Sequence, residues 1–477
     1  MSGTDNQEKL ALLARLIQAE GLASSATDAI PKHNPSELIP ASYSQEWVWK
    51  RCQQAPNSPF YNSAFALILE GKLNRASLEE SLREIVRRHA AWRTAFSLID
   101  GTLCQQINPE PVFELNYYDL SVVNEAEQYI ETEKLAVHQA HKLFDLNCVP
   151  LIRAALLKHT DTRHVLALVV HHIIADGWST GLFIKELAVL YPAFSNGNSS
   201  PLPELPIQYP DYTLWQRNWL QGELDKQLAY WSNQLFGLPE VQPSLAGEAR
   251  PNNPDYAGKS YSLELSEDLS SALKRLSQQE GVTLFTLLLS AFAALINLYS
   301  GQEDIALGTP VANRSTVEAE ALLGCFVNNL VIRADFSGNS SFKQILSLMN
   351  KVCLEAFAHQ DMPFVKLVEA LKPGNNASHP FFQTRFEFSN FPSRERLEIK
   401  GLRLSPLEFE TGLVRFDLNL IMEERDNRLV GWLQYATALY SDAFIIRLAQ
   451  NYENLLQHIV RQPELRLNEL SLDLLRD

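Results

Sequence analysis

Hydrophobic positions recur along this chain with two different periods. Over residues 77–89, Leu78, Leu82, Ile85 and Val86 fall three or four apart, which gathers them on one helix face. The same spacing predicts helices over Glu267–Gln279, over 342–359 and in a stretch around 215–235. Residues 164–170 are a continuous apolar run between Asp161-Thr162 and a polar loop, the pattern of a strand buried on both faces. Residues 305–311 and 326–334 read as further strands, and 179–191 reads as a helix with Ser179 as its N-cap.

Residues 4–20 form an amphipathic pattern: Thr4 and Gln7 have capping-box spacing, Leu10, Leu13 and Ile17 make a stripe, and Gly21 can close the end. A helix this short is marginal alone, so it either packs on its own domain or docks on another protein. Residues 23–40, rich in Ser, Ala, Thr and Pro, read as a linker. Proline and glycine cluster at 195–210 and again at 238–254, placing a lobe boundary near 205–215. The organisation expected is residues 1–36 as N-terminal helix and linker, 37–210 as a first lobe and 211–477 as a second. No internal sequence repeat is visible, and the fold class is α+β in two lobes.

Residues 281–302 carry no charge and are long enough to span a bilayer. Thr283, Thr286, Ser290, Asn297 and Ser300 interrupt them, however, and Glu280, Glu303 and Asp304 flank them where a membrane span has lysine or arginine. A helix buried in a large core fits better. The 477 residues include 41 Lys and Arg against 56 Asp and Glu, a net charge of −15. Such a surface repels phosphate backbones and anionic lipid, which argues against nucleic acid and membrane as partners. Cys52, Cys104, Cys148, Cys325 and Cys353 are odd in number and scattered, and the first residues lack the apolar core of a signal peptide; both point to the cytoplasm.

The densest chemistry is His171-His172-Ile173-Ile174-Ala175-Asp176-Gly177-Trp178-Ser179, at the end of the buried strand. Successive strand residues face opposite sides, so one histidine points into a cleft while the other faces the core. Asp176 lies where a tight turn returns its carboxylate to the loop backbone, and Gly177 lets a substrate approach its N–H. A strand-end loop with two hydrogen-bonded histidines and an Asp cap accounts for the spacing equally well. Residues 177–181 also fit G-x-S-x-G, but a nucleophile elbow follows its strand directly, whereas nine residues separate Val170 from Ser179. Adjacent histidines on opposite faces cannot easily chelate one ion, and His138 and His141 read as exposed positions on a helix, so no metal is expected.

H-H-x-x-x-D-G followed by Trp178-Ser179 resembles the signature of condensation domains of nonribosomal peptide synthetases. Five further segments follow that family's order: Ser42-Tyr43-Ser44-Gln45 with Trp49, Arg88 to Phe96, Tyr209-Pro210-Asp211-Tyr212 with Trp215, Leu323 to Asn329, and His359 to Phe364. Departures are Trp47, Ala90 and Asn329 in place of Arg, Glu and Thr, and 375–380 in place of a more basic stretch; they bear on substrate preference. The resemblance implies a chloramphenicol-acetyltransferase-like fold, two similar lobes in a V-shaped pseudodimer with a tunnel between them. Donor and acceptor carrier proteins would each thread a 4'-phosphopantetheine arm into it, the domain itself binding no cofactor. The acceptor amine would attack the donor thioester and form a peptide bond.

On that resemblance His172 orients and deprotonates the amine, and the Gly177 N–H is a candidate oxyanion donor. His171 and Asp176 structure the site, Asp176 pairing with Arg314, while Trp178, Ser179 and Asn328 line the tunnel. An α-ammonium of pKa about 7.7–8.0 loses its proton cheaply, so positioning, worth roughly 7–11 kcal/mol, outweighs base strength. By exclusion the subtype joins an L-configured or simple acyl donor to an L-aminoacyl acceptor, or initiates with a fatty acyl or polyketide donor. Two competing readings are a stand-alone acyltransferase using a soluble thioester or an alcohol, and a degenerate carrier-recruiting platform. An upstream synthase docking through residues 4–20 is a further partner to test.

Overall fold

The computed structural model describes residues 30–466 and 469, apart from 35–36, 240–243, 252–255, 339, 372–379, 390–396, 400 and 467–468. The expected helix at 4–20, its docking role and most of the 375–380 stretch lie outside the described residues. Two six-stranded sheets organise the rest. The first takes β2 (Asn62–Gly71), β5 (Leu115–Asp119), β6 (Ile152–Thr160), β7 (Arg163–His171), β12 (Leu397–Ile399) and β13 (Leu402–Leu407), in the order β12–β13–β2–β7–β6–β5. The second takes β8 (Gly258–Glu264), β9 (Asp304–Val311), β10 (Asn328–Asp335), β11 (Thr384–Ser389), β14 (Leu418–Arg425) and β15 (Arg428–Ala436), in the order β10–β9–β11–β14–β15–β8. β1 (Ile39–Pro40), β3 (Thr94–Ile99) and β4 (Thr102–Ile107) make a small third sheet. Each large sheet anchors one lobe with its own core.

β7 shows why residues 165–170 are apolar throughout. It pairs with β2 on one side and β6 on the other. Leu166, Leu168 and Val170 enter the main first-lobe core, while Val165 and Ala167 pack with Ala66, Ala155 and Leu157 on the opposite face. Covered on both faces, the middle of the strand favours an apolar residue at every position. The uncharged stretch becomes the helix Leu284–Ser300, and Leu287 to Leu295 are buried among second-lobe residues. Thr283 caps its start, Ser290 returns its hydroxyl to Thr286 O at 2.6 Å, and Gly301 closes it with φ +66°. Among the described residues no single helix is long and apolar enough to cross a membrane.

The helix Tyr209–Leu220 runs across the expected boundary at 210/211, and β13 pairs with β2 of the first lobe, Leu407 opposite Ala66, with β12 paired on its other edge. The expected helical stretch 215–235 is two helices, Tyr209–Leu220 and Leu224–Gln234, parted at Gly222. A cluster of Ile207, Tyr209, Tyr212, Leu322 and Phe326 with Ala91 ties the lobes together. Tyr209 OH meets Ser42 Oγ at 2.7 Å and donates to Cys325 O, and its ring lies where a Cβ on Gly324 would come within 2.2 Å. Only glycine fits there.

Candidate active site

β7 ends at His171, whose side chain turns into the first-lobe core beside Tyr61 and Phe144. Its Nδ1 accepts the Ile173 N–H at 3.2 Å. Burial, helped by the nearby Arg415, pushes its pKa down to about 3, so this imidazole is neutral and structural. His172 opens a single 3-10 turn, donates its N–H to Tyr61 O at 2.8 Å and stacks on the Tyr61 ring at 5.8 Å. It stays partly exposed. Its Nδ1 lies 2.6 Å from Ala175 O; a carbonyl only accepts, so Nδ1 carries the hydrogen and Nε2 presents a lone pair. Burial and the Arg415 guanidinium hold the ring well below the usual histidine range, which keeps that lone pair unprotonated at neutral pH.

The loop after it is fastened by Asp176. This carboxylate caps the helix Gly177–Ser195, accepting Ser179 N at 3.0 Å and Ser179 Oγ at 2.8 Å. It also accepts Phe326 N at 3.1 Å, and Arg314 Nη2 reaches its two oxygens at 3.1 and 3.2 Å. Arg314 spends further donors on Ala319 O and Leu322 O and stacks 3.9 Å over Phe326. A buried charge pair with this many hydrogen bonds has a defined geometry. Asp176 thus joins first-lobe loop to second-lobe strand entry, and Gly177, exposed as the first residue of the helix, carries an N–H without an intrahelical acceptor.

Ser179, Asn328 and Trp178, the residues expected to line the tunnel, each make defined hydrogen bonds. Ser179 is the third residue of its helix rather than the cap; it is 1% exposed, and its hydroxyl is held between Asp176 and Gly324 O at 3.1 Å, which also removes it as a nucleophile. Asn328 is buried and pins the segment 360–364, donating to Gln360 O and Met362 O and accepting Phe364 N. Trp178 donates to Glu320 O at 3.0 Å, bridging to the second lobe. His359 stacks on Tyr230 at 3.9 Å, and His89 is a buried core residue accepting Leu323 N. Among the described residues no His, Cys, Asp and Glu group could hold a metal, and all five cysteines are free.

A cavity of about 800 Å³ lies between the two large sheets, lined by Phe60, Phe65 and Gly177 from one lobe and Arg385, Arg415 and Trp432 from the other. His172 is not among its lining residues, although Gly177 and Arg415 beside it are. The sequence alone does not single out Tyr61, Arg385 or Arg415. They sit far from the histidine motif in the chain, within no recurrent spacing, and only strand pairing brings them to it.

Two sheet-based lobes meeting at an unprotonated imidazole define a chloramphenicol-acetyltransferase-like acyltransferase architecture. The chain belongs to the condensation-domain family, whose model matches residues 36–474. Such domains of nonribosomal peptide synthetases are acyltransferases that form amide bonds. It is 39% identical over 456 residues to one of the linear gramicidin synthase proteins of Brevibacillus parabrevis, covering 95% of this chain but 6% of that protein. It is 39% identical over 439 residues to the chondramide synthase of Chondromyces crocatus, covering 92% of this chain and 11% of that one. The chain therefore spans a small part of these relatives. Among solved structures, the X-domain in complex with OxyB from teicoplanin biosynthesis matches with a TM-score of 0.84 and 26% identity, covering 94% of this chain and 99% of that one. The first condensation domain of the calcium-dependent antibiotic synthetase has the same fold, with a TM-score of 0.78 at 20% identity over 92% of this chain and 99% of that one.

Proposed function

We propose that this domain joins a donor acyl or peptidyl thioester to the amine of an acceptor aminoacyl thioester, each carried on the phosphopantetheine arm of its own carrier protein. His172 Nε2 accepts a proton from the acceptor amine as nitrogen adds to the donor carbonyl. The C–N bond forms, the C–S bond breaks, and the proton passes to the departing thiolate. The Gly177 N–H faces the oxygen on which charge develops. The observation that carries this reading is the Nδ1–H bond to Ala175 O, which leaves Nε2 as the only basic nitrogen of that ring. Five free cysteines fit a reducing cytoplasm as the setting. The donor is a simple acyl or L-configured group and the acceptor an L-aminoacyl group.

The test supplies purified domain with one acyl-loaded and one aminoacyl-loaded carrier and reads the amide by mass. His172→Ala is expected to slow condensation about 10²–10⁴-fold. Because the folded imidazole titrates well below 6.5, the wild-type rate should show no decline attributable to His172 as pH falls from 7.5 to 6. Equal rates for variant and wild type remove the histidine from the mechanism. The similarity to a domain solved in complex with OxyB favours a second reading, a recruiting platform without catalysis. Carrier binding with no amide formed by wild type would select it.

A further inference from the structure

The second sheet turns one face to its own core and the other to the cavity, and the cavity face is polar across four strands. Arg385 on β11 pairs in register with Asn419 on β14, Asn419 with Gln434 on β15, and Gln434 with Ser260 on β8. All four line the cavity. Asn419 Nδ2 donates to Gln434 Oε1 at 3.1 Å, which ties the middle of this row together. Arg385 is the member left underused. Its side chain is 12% exposed, its Nη2 donates to Glu387 Oε2 at 2.9 Å, and no other acceptor among the described residues reaches it. Its Nε is buried without a partner.

Two other arginines make four side-chain hydrogen bonds each where Arg385 makes one, although Arg314 Nε, like Arg385 Nε, is buried without a partner. Arg333 takes Asp304 with both edges and two backbone carbonyls besides, and Arg314 takes Asp176 and two carbonyls. Beside Arg385, Arg415 brings a second guanidinium, donating to Phe60 O and to Ser63 Oγ. Three of the cavity acids have partners of their own: Glu423 and Glu408 sit on Arg425, and Glu410 accepts Ser260 N. Ser260 is three strand spacings from Arg385, about 14 Å. A guanidinium with spare donors, held from water at the inner end of a polar row, favours an oxyanion over an apolar chain.

We infer that Arg385 is a specificity-determining residue, holding a side-chain carboxylate of one of the two condensing substrates. This rests on the amide-forming reading above. The carboxylate belongs either to the donor, as in an aspartyl, glutamyl or dicarboxylic acyl group, or to the acceptor residue.

The experiment runs two competitions on carriers, glutamyl against glutaminyl donors with a common acceptor, and glutamyl against glutaminyl acceptors with a common donor. Wild type is expected to favour the carboxylate about 10- to 100-fold in one arm, the arm naming the source. Arg385→Gln is expected to abolish that preference while still condensing the glutaminyl substrate, which also shows that the variant folds. Comparing ratios at one pH cancels any uniform effect on the reaction. Equal use of acid and amide by wild type in both arms overturns the proposal while amide formation stands. So does a preference that survives in Arg385→Gln, or acid and amide rates that fall together in it. No amide from any pair sinks the underlying reading and this proposal with it.

Discussion

Replacing Asp176 by asparagine removes one negative charge without changing side-chain size. The Asp176 side chain is 4% exposed and its partner on Arg314 is 2% exposed, so neither is replaced by water when the other goes. Asparagine can still accept Ser179 N and preserve the helix cap, but its amide nitrogen cannot serve Arg314 and Phe326 N as the second oxygen does. Removing one member of a buried pair typically costs about 3–5 kcal/mol, and the surviving cap puts this change near the lower end. About 3 kcal/mol is roughly a hundredfold in the unfolding equilibrium, against a total of about 5–15 kcal/mol for a domain. Urea unfolding followed by tryptophan fluorescence reads the midpoint, and the amide assay reads the site. Arg314→Met alone should cost a similar amount, because it strands the carboxylate. The double variant is the deciding measurement: with both charges gone it should be at least about 1 kcal/mol more stable than the two losses added. Additive losses would mean that the pair is not coupled, and the account of Asp176 as the clamp between lobes would be wrong.

Three other outcomes follow from the geometry. His171 titrates at about 3 when folded and near 6.5 when unfolded, so the unfolded chain gains the proton first as pH falls. Its stabilising contribution is present above pH 6.5 and is lost toward pH 3, at about 1.4 kcal/mol per pH unit, and His171→Gln should flatten the fall in urea midpoint between pH 7 and 5; an unchanged slope refutes this. Gly324→Ala drives a methyl into the Tyr209 ring, which its two hydrogen bonds hold in place, and should cost about 1–3 kcal/mol. Gly181→Ala meets nothing within 4 Å in mid-helix and should be neutral or stabilising by up to about 1 kcal/mol in the same urea assay.

Wherever neighbours along the chain carried the information, the sequence alone was sufficient. The helix Glu267–Gln279 has the expected bounds, since Ser266 caps it and its apolar stripe repeats every turn. The strand into His171 was legible because burial on both faces leaves an unbroken apolar run. The resemblance carried by the histidine motif and its companion segments led to the family that the comparisons show. Tertiary structure decided what local rules leave degenerate. Asp176 and Ser179 are both good caps by type, and the choice fell to Asp176 with Arg314 and Phe326 converging on its carboxylate from 138 and 150 residues away. Nothing local in 397–407 shows that these strands cross to the first lobe, because strand pairing is a property of two edges and is unspecified by one. The charges around His172 have the same origin. Arg385 is an ordinary strand arginine in the sequence and reaches the cavity because sheet register, set over hundreds of residues, turns its face inward, while Arg415 lines it from the segment just before β14.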